Sequence, residues 1–342
     1  NQVMKELCNL CQEIGSSLLL ISHDLAMSAR WCEKIAILEK GRIVEIGQSE
    51  NILTNPNSSI GKRLVSAAKE REKICNSAKS HNSIVLEVNQ LRCWHPLPSW
   101  PWSPAWIKAV DEVSFRIFAG ETVGLVGPSG CGKSTLCRAL MGLIPVRGGE
   151  VKLRDEDILK LCGKPLRRAR QSLQMIFQDP LACLNPNMTV GEAIADPLLI
   201  HKTSNRREAI ERASHLLEKV GLSPSKKYLH RLPCELSGGQ QQRIAIARAL
   251  SLNPKVLICD ESVSMLDAEI QLEILDLLKS LQKQLDLAIL FITHDIAIAT
   301  GFCNRVFVLH QGKIIEEAEG EAILNRPQSE VARRFVEALP RI

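Results

Sequence analysis

The stretch that most limits what this chain can become is Thr122-Val123-Gly124-Leu125-Val126, followed at once by Gly127-Pro128-Ser129-Gly130-Cys131-Gly132-Lys133-Ser134. An uncharged run this short, closed by a glycine, predicts a strand buried on both faces. The octapeptide after it fits G-x-x-x-x-G-K-[ST], and "TLCRALMGL" continues with the spacing of an amphipathic helix. Strand, glycine-rich loop and helix in this order belong to a parallel α/β sheet. The glycines let the backbone wrap close to an anion, so that successive N–H groups point inward. The start of the helix adds partial positive charge. Lys133 can then reach the β- and γ-phosphates of a nucleotide, and the Ser134 hydroxyl can ligate Mg2+. The candidate nucleotide-binding residues are Gly127, Pro128, Ser129, Gly130, Cys131, Gly132, Lys133, Ser134 and Thr135.

"KVLICDES" (255–262) supplies the carboxylates such a loop needs. Its apolar residues predict a second buried strand, with Asp260 at the carboxyl end, where ligands bind in open α/β sheets. Asp260 is placed to hold Mg2+ through water, and Glu261 to polarise an attacking water. The bland alternative is a pair of solvated loop charges.

Much of the N-terminal fifth of the chain recurs near its end. "LLLISHDLAMSARWCEKIAILEKGRIVEIG" begins at residue 18 and "ILFITHDIAIATGFCNRVFVLHQGKIIEEA" at residue 289. His23 and His294, Gly41 and Gly312, and Pro56 and Pro327 are each 271 residues apart, and the match runs without a gap to Val65 and Val336. Each copy reads as a strand, a His-Asp pair, a helix and a strand pair with basic residues at its turn. The period is domain-sized. Residues 1–70 are therefore expected to be the C-terminal remnant of one domain, 71–83 a polar, charged linker, and 84–342 a complete domain of the same kind. His23 has no phosphate loop before it and is not a site candidate. The opening residues, with Val3, Leu7, Leu10 and Ile14 at helical spacing and no cap, read as a chain whose beginning is missing.

Composition adds limits. A net charge of +5 over 342 residues gives no case for nucleic acid. No apolar run approaches the ~20 residues needed to span a bilayer, and the polar start is unlike a signal peptide. These features predict a cytosolic protein. The twelve cysteines stand mostly alone in apolar contexts, which predicts reduced thiols, most of them small core residues. Cys8 and Cys11 have metal-ligand spacing, but no second pair follows, and packing on a helix face is the simpler reading. "KPLRRAR" (164–170) reads as a solvated basic face.

"ELSGGQQQRIAIARAL" (235–250) sets the subclass. Ser237, Gly238, Gly239 and Gln240, after Leu236, resemble the signature motif of ATP-binding-cassette (ABC) ATPases. Gln178 in "MIFQDP" resembles the Q-loop, Asp267 in "SMLD" the D-loop aspartate, and His294 in "FITHD" the H-loop histidine. The resemblance covers 84–342. It implies an α/β fold of the P-loop NTPase type, with a RecA-like core, an antiparallel β subdomain and a helical subdomain over about 179–250. It also implies ATP and Mg2+ as cofactors, Mg2+ being held by Ser134, Gln178 and Asp260. Glu261, His294 and Gln178 are the implied catalytic residues. The signature places a second anion site at a helix start, which in this family closes on the γ-phosphate of a partner cassette. Hydrolysis then needs a head-to-tail pair.

"AVDEVSF", the Gln178 loop with "LNP" and the tail "NRPQSEVARRF" resemble the ATPase subunits of oligopeptide, dipeptide and nickel importers, some of which carry two cassettes in one chain. This resemblance implies two membrane-spanning permease partners contacting roughly 179–235, and an indirect extracytoplasmic solute-binding protein. It also implies a peripheral position on the cytoplasmic face of the membrane, and no nucleic acid. The alternative is a soluble tandem ABC ATPase acting on ribosomes or DNA; the short linker and the lack of paired CxxC motifs argue against it. Two departures stand out. Ser262-Val263 follows Glu261 where the family has proline, and Met265 replaces the usual D-loop alanine. Neither removes a charge, so activity is expected, although the lost proline frees a φ angle beside Glu261. Adenine stacking falls to one of Trp94, Trp100, Trp102 and Trp106. Trp94 best matches the family position, and Trp106 lies nearer the second strand.

Overall fold

The computed structural model describes residues 2–22, 25–71, 83–96 and 106–339. The N-terminal unit opens with α1 (Gln2–Ile14) and α2 (Leu25–Trp31). An antiparallel pair follows, β1 (Lys34–Glu39) and β2 (Arg42–Gln48), then α3 (Ser49–Thr54) and α4 (Ser59–Arg71). Its small core consists of Leu25, Ile35, Ile37, Ile52 and Val65.

The larger body begins with two long antiparallel strands, β3 (Ile84–Pro96) and β4 (Trp106–Phe118). β5 (Thr122–Val126) leads through the phosphate loop into α5 (Lys133–Leu140). β6 (Gly148–Leu153) and β7 (Glu156–Asp157) complete a four-stranded sheet ordered β4-β3-β6-β7. Next come α6 (Gly163–Ser172), β8 (Leu173–Ile176) and the helical layer α7 (Val190–Ile200), α8 (Arg206–Lys219) and α9 (Gly238–Leu250). The chain then alternates through β9 (Val256–Asp260), α10 (Ala268–Leu285), β10 (Ala288–Thr293), α11 (Ile296–Phe302) and β11 (Arg305–His310). It closes with β12 (Lys313–Glu319), α12 (Gly320–Asn325) and α13 (Glu330–Glu337).

The central sheet is ordered β12-β11-β5-β10-β9-β8, parallel except for β12. Its strands are continuous apolar runs because both faces are covered. On β10, Ile289 and Phe291 point to the helical side, whereas Ala288, Leu290 and Ile292 point to the antiparallel sheet. β9 divides likewise, with Leu257 and Cys259 on one face and Val256 and Ile258 on the other. The parallel strands therefore release their carboxyl ends along one edge, where the site lies. This is the α/β architecture the sequence implied.

The internal repeat has a geometric counterpart. The bulge between Ile37 and Leu38 recurs between Val308 and Leu309. The turn residues Lys40 and Gly41 have φ of 47° and 78°, and Gln311 and Gly312 have 47° and 77°. Glu45 accepts from Asn57 N at 2.8 Å and Ser58 N at 2.9 Å; Glu316 accepts from Gln328 N at 2.9 Å and Ser329 N at 2.8 Å.

One element differs from its copy. Residues 18–22 read as a buried strand, but 16–22 carry no regular structure, and Leu19 and Ile21 are 85% and 89% exposed. The matching β10 is buried because β5 and β9 hydrogen-bond to its two edges. No strand among the described residues pairs with 18–22. An apolar run without ladder partners leaves its backbone to water and does not become a strand. The cysteine reading also needs correction. Of the described cysteines, Cys93, Cys131, Cys137, Cys259 and Cys303 are buried, Cys162 and Cys234 are exposed, and the rest are half-buried. Cys8 and Cys11 lie half-buried on α1. His23, Asp24, Trp100, Trp102 and most of the 71–83 segment fall outside the described residues.

Candidate nucleotide site

The phosphate loop is held open by what its glycines allow. A Cβ on Gly127 would stand 2.3 Å from Leu309 O, and one on Gly132 would stand 1.9 Å from Ala109 O. Gly130 and Gly132 adopt φ of 78° and 111°, where L side chains are strained. Gly127, Cys131, Gly132 and Lys133 are buried, while Ser129, Gly130 and Ser134 face outward. Lys133 opens α5, and its buried ammonium donates to Gly127 O at 2.7 Å and Pro128 O at 3.1 Å. A buried ammonium bound only by neutral carbonyls is a ready partner for anionic oxygens.

Asp260 ends β9 facing the start of α5, and the Ser134 hydroxyl hydrogen-bonds to its carboxyl. Burial raises the Asp260 pKa, and the Glu261 charge beside it adds to this; the Ser134 bond and Lys133 oppose both. A half-buried carboxylate next to a second one, with a hydroxyl in reach, is an oxygen donor set suited to a hard cation. Ser134 and Asp260 therefore fit Mg2+.

Glu261 sits in the left-handed region, φ 47°, pinned by its N–H to Ile292 O at 3.0 Å and by its carbonyl, which accepts from Ser264 Oγ at 2.8 Å. That turn aims the carboxylate along the sheet edge. Gln178, two residues past β8, donates to Glu261 Oε2 at 3.2 Å, and His294 Nδ1, at the end of β10, lies 3.6 Å from Glu261 Oε1. Gln178 is thus hydrogen-bonded to Glu261. The next residue, Asp295, caps α11 by accepting from Ala297 N at 2.9 Å. Ser262, where the family has proline, is buried with its side chain against Cys259.

The signature residues form a separate, solvent-facing helix start. Ser237 N donates to Gln240 Oε1 at 3.2 Å. Ser237 and Gly238 are exposed, whereas Gly239 is packed so tightly that a Cβ would meet Ile270 Cγ2 at 2.8 Å. Asp267 stands at the N-cap position of α10 with its side chain exposed and making no cap bond; its carbonyl accepts from Gln271 N at 2.8 Å.

Trp94 pairs with Lys108 across β3 and β4, and the Lys108 ammonium lies 4.9 Å from its ring centroid. The residue after Lys108, Ala109, is the one whose carbonyl abuts Gly132. Trp106 is stacked instead by Arg147, with the guanidinium carbon 3.5 Å from the ring centroid.

Sequence reasoning found the β11–β12 turn but missed its contact with the phosphate loop. Gly312 N donates to Cys131 O at 3.0 Å, and Gly312 O accepts from Asp111 N at 2.8 Å. A Cβ on Gly312 would stand 2.6 Å from Lys108 O. This turn clamps the phosphate loop to β4. The repeat offered the only signal, a glycine at a fixed offset in both copies.

Comparison with known proteins agrees with this geometry. The family profile described as ABC transporter matches residues 110–264. The oligopeptide transport ATP-binding protein OppF of Escherichia coli is 42% identical over 270 residues, covering 78% of this chain and 80% of that protein. The glutathione import ATP-binding protein GsiA of Pectobacterium atrosepticum is 36% identical over 365 residues, 99% of this chain; the chain spans only 58% of that protein's length. Among solved structures, cbiO1 from Clostridium perfringens, part of an ABC transporter complex, matches with TM-score 0.62 and 28% identity, over 76% of this chain and 97% of that one. A dimeric ATP-binding cassette in a post-hydrolysis state bound to ADP and Pi matches with TM-score 0.61 and 30% identity, over 68% of this chain and 98% of that one. The chain belongs to the ABC transporter ATP-binding family.

Proposed function

We propose that this chain binds and hydrolyses ATP to power an importer of peptides or related small solutes. The observation that carries the reading is the convergence of Lys133, Asp260 and Glu261, with Gln178 and His294, at the carboxyl ends of β5, β9, β8 and β10. The loop N–H groups and Lys133 bind the β- and γ-phosphates, and Trp94 offers its face to adenine. Ser134 and Asp260, with Gln178 beside them, hold Mg2+, which when bound neutralises phosphate charge. Glu261 accepts a proton from the attacking water, which His294 and Gln178 hold in line.

Ser237, Gly238, Gly239 and Gln240, with Asp267, complete the site of a partner cassette in a head-to-tail pair. That partner is a second cassette in the same polypeptide or a second copy. Residues 1–70 are the C-terminal part of such a first cassette, which the shared bulge, turn and Glu45/Glu316 bonds support. The 179–235 region docks two membrane-spanning permeases, with the chain peripheral on the cytoplasmic face and a solute-binding protein acting from the other side. Among the described residues no helix is long and apolar enough to cross a membrane. The relatives named above are import or transport proteins, which favours this reading over a ribosome- or DNA-directed ATPase. The test is ATP turnover by the purified chain, alone and with Lys133→Ala. Turnover that survives Lys133→Ala overturns the proposal.

A further inference from the structure

The basic run 164–170 is largely exposed, as its composition suggested, with Arg170 half-buried. It lies on α6, and two of its arginines turn onto the carboxyl ends of two other helices. Arg170 Nε donates to Met141 O at 3.1 Å and its Nη2 to Gly142 O at 2.8 Å. Met141 is the C-cap of α5, the helix whose first residues are Lys133 and Ser134. Arg167 Nη2 donates to Ile200 O at 3.1 Å, at the last residue of α7 in the helical layer. One turn on from Arg167, the Gln171 side-chain amide nitrogen lies 2.8 Å from Nδ1 of His201, the C-cap of α7.

Each arginine contact reaches carbonyls at a helix end and sets a cation against the negative end of its dipole. The Arg170 fork is two-pronged, so it fixes direction as well as charge. Gly142 sits at φ 63°, which turns its carbonyl toward that fork. α6 is short and runs directly into β8, the strand that delivers Gln178. A rigid element gripping α5 at one arginine and α7 at another, three residues apart, has little freedom to move against either.

We propose that α6 is a bracket coupling the helical layer to the phosphate-loop helix, with Arg167 and Arg170 as positioning residues that act through the ends of α7 and α5. It rests on the nucleotide reading above. A shift of α7 moves α6, and Arg170 passes that shift to the helix that presents Lys133. ATP bound at the start of α5 biases α7 in return, since such coupling is reciprocal.

The test is a double-mutant cycle on ATP affinity in the full chain, with thermal unfolding verifying that each variant is folded. Arg170→Ala is expected to weaken ATP about tenfold, the loss of a two-pronged charged contact. Arg167→Ala is expected to weaken it about threefold, although the carbonyl it bonds belongs to the helical layer. The double variant should be no weaker than Arg170→Ala alone. Arg170→Lys, which keeps the charge without the fork, should also abolish the Arg167 effect. Amide exchange over 199–203 should slow on adding ATP to the parent and not to Arg170→Ala. Effects that multiply to about thirtyfold in the double variant overturn the bracket. So does unchanged affinity in Arg167→Ala, or exchange over 199–203 that ignores ATP. A parent chain that binds no ATP overturns the nucleotide reading and the bracket with it; a parent that binds ATP but shows multiplying effects overturns the bracket alone.

Discussion

The side-chain amide of Gln178 donates to Glu261 Oε2 at 3.2 Å, joining two residues from different strand ends 83 positions apart. The other carboxylate oxygen faces His294 at 3.6 Å. Glu261 is thus oriented from both sides, as a base must be before it can take a proton from a positioned water. Glu261→Gln keeps the shape and the Gln178 contact but loses the basicity. It is expected to lower kcat for ATP about a hundredfold or more while leaving ATP bound. Single-turnover hydrolysis with a parallel binding titration decides this; parental turnover would remove Glu261 from the base role.

Lys133→Ala removes the buried ammonium that now bonds to Gly127 O and Pro128 O. Nucleotide binding is expected to fall below detection in an equilibrium titration with a fluorescent ATP analogue. Undiminished affinity would mean that the loop is not a phosphate site.

Gly41 and Gly312 make a matched pair. Their φ angles are 78° and 77°, so alanine is strained equally in both turns. Around Gly41 nothing lies within 4 Å of an added Cβ, whereas at Gly312 Lys108 O lies at 2.6 Å. Gly41→Ala is expected to cost about 1 kcal/mol, the backbone term alone. Gly312→Ala should cost more and also weaken ATP binding, because the turn bonds to Cys131 in the phosphate loop. Denaturant midpoints and ATP titrations on both variants separate the two effects. Equal outcomes would show that the clamp is idle.

Glu316 gives a pH signature. Burial raises its pKa, but the bonds it accepts from Gln328 N, Ser329 Oγ and Ser329 N outweigh that and leave it lowered. A depressed carboxylate adds stability above its unfolded pKa and loses it as pH falls through the folded value. Glu316→Gln should therefore lower Tm by about 2–4 °C at neutral pH. The gap should close as pH drops below the ordinary glutamate value of 4.5. A difference that persists in acid would assign the loss to shape instead of charge.

Residues 1–70 have their own small core and meet the larger body through α4 against α10, where Arg63 and Glu269 form an exposed pair at 3.4 Å. Such a pair contributes little. A chain starting at residue 83 is expected to bind ATP with parental affinity by calorimetry. Lost binding would make the segment part of the site.

The sequence by itself determined the phosphate loop, the Asp260-Glu261 strand end and the duplicated segment. Each is written in consecutive residues: glycines where side chains clash, apolar runs where both faces are covered, and a fixed offset that survives in bulge and turn. The tertiary structure alone decided what contacts across the chain decide. It joined Gln178 and His294 to Glu261, set Arg167 and Arg170 of an exposed basic run on the ends of two other helices, and set the Gly312 turn on the phosphate loop. It also separated two nearly identical apolar runs. Residues 288–293 are a buried strand and 18–22 are mostly exposed, because a strand forms only where a neighbouring strand takes up its backbone hydrogen bonds, and no local pattern carries that information.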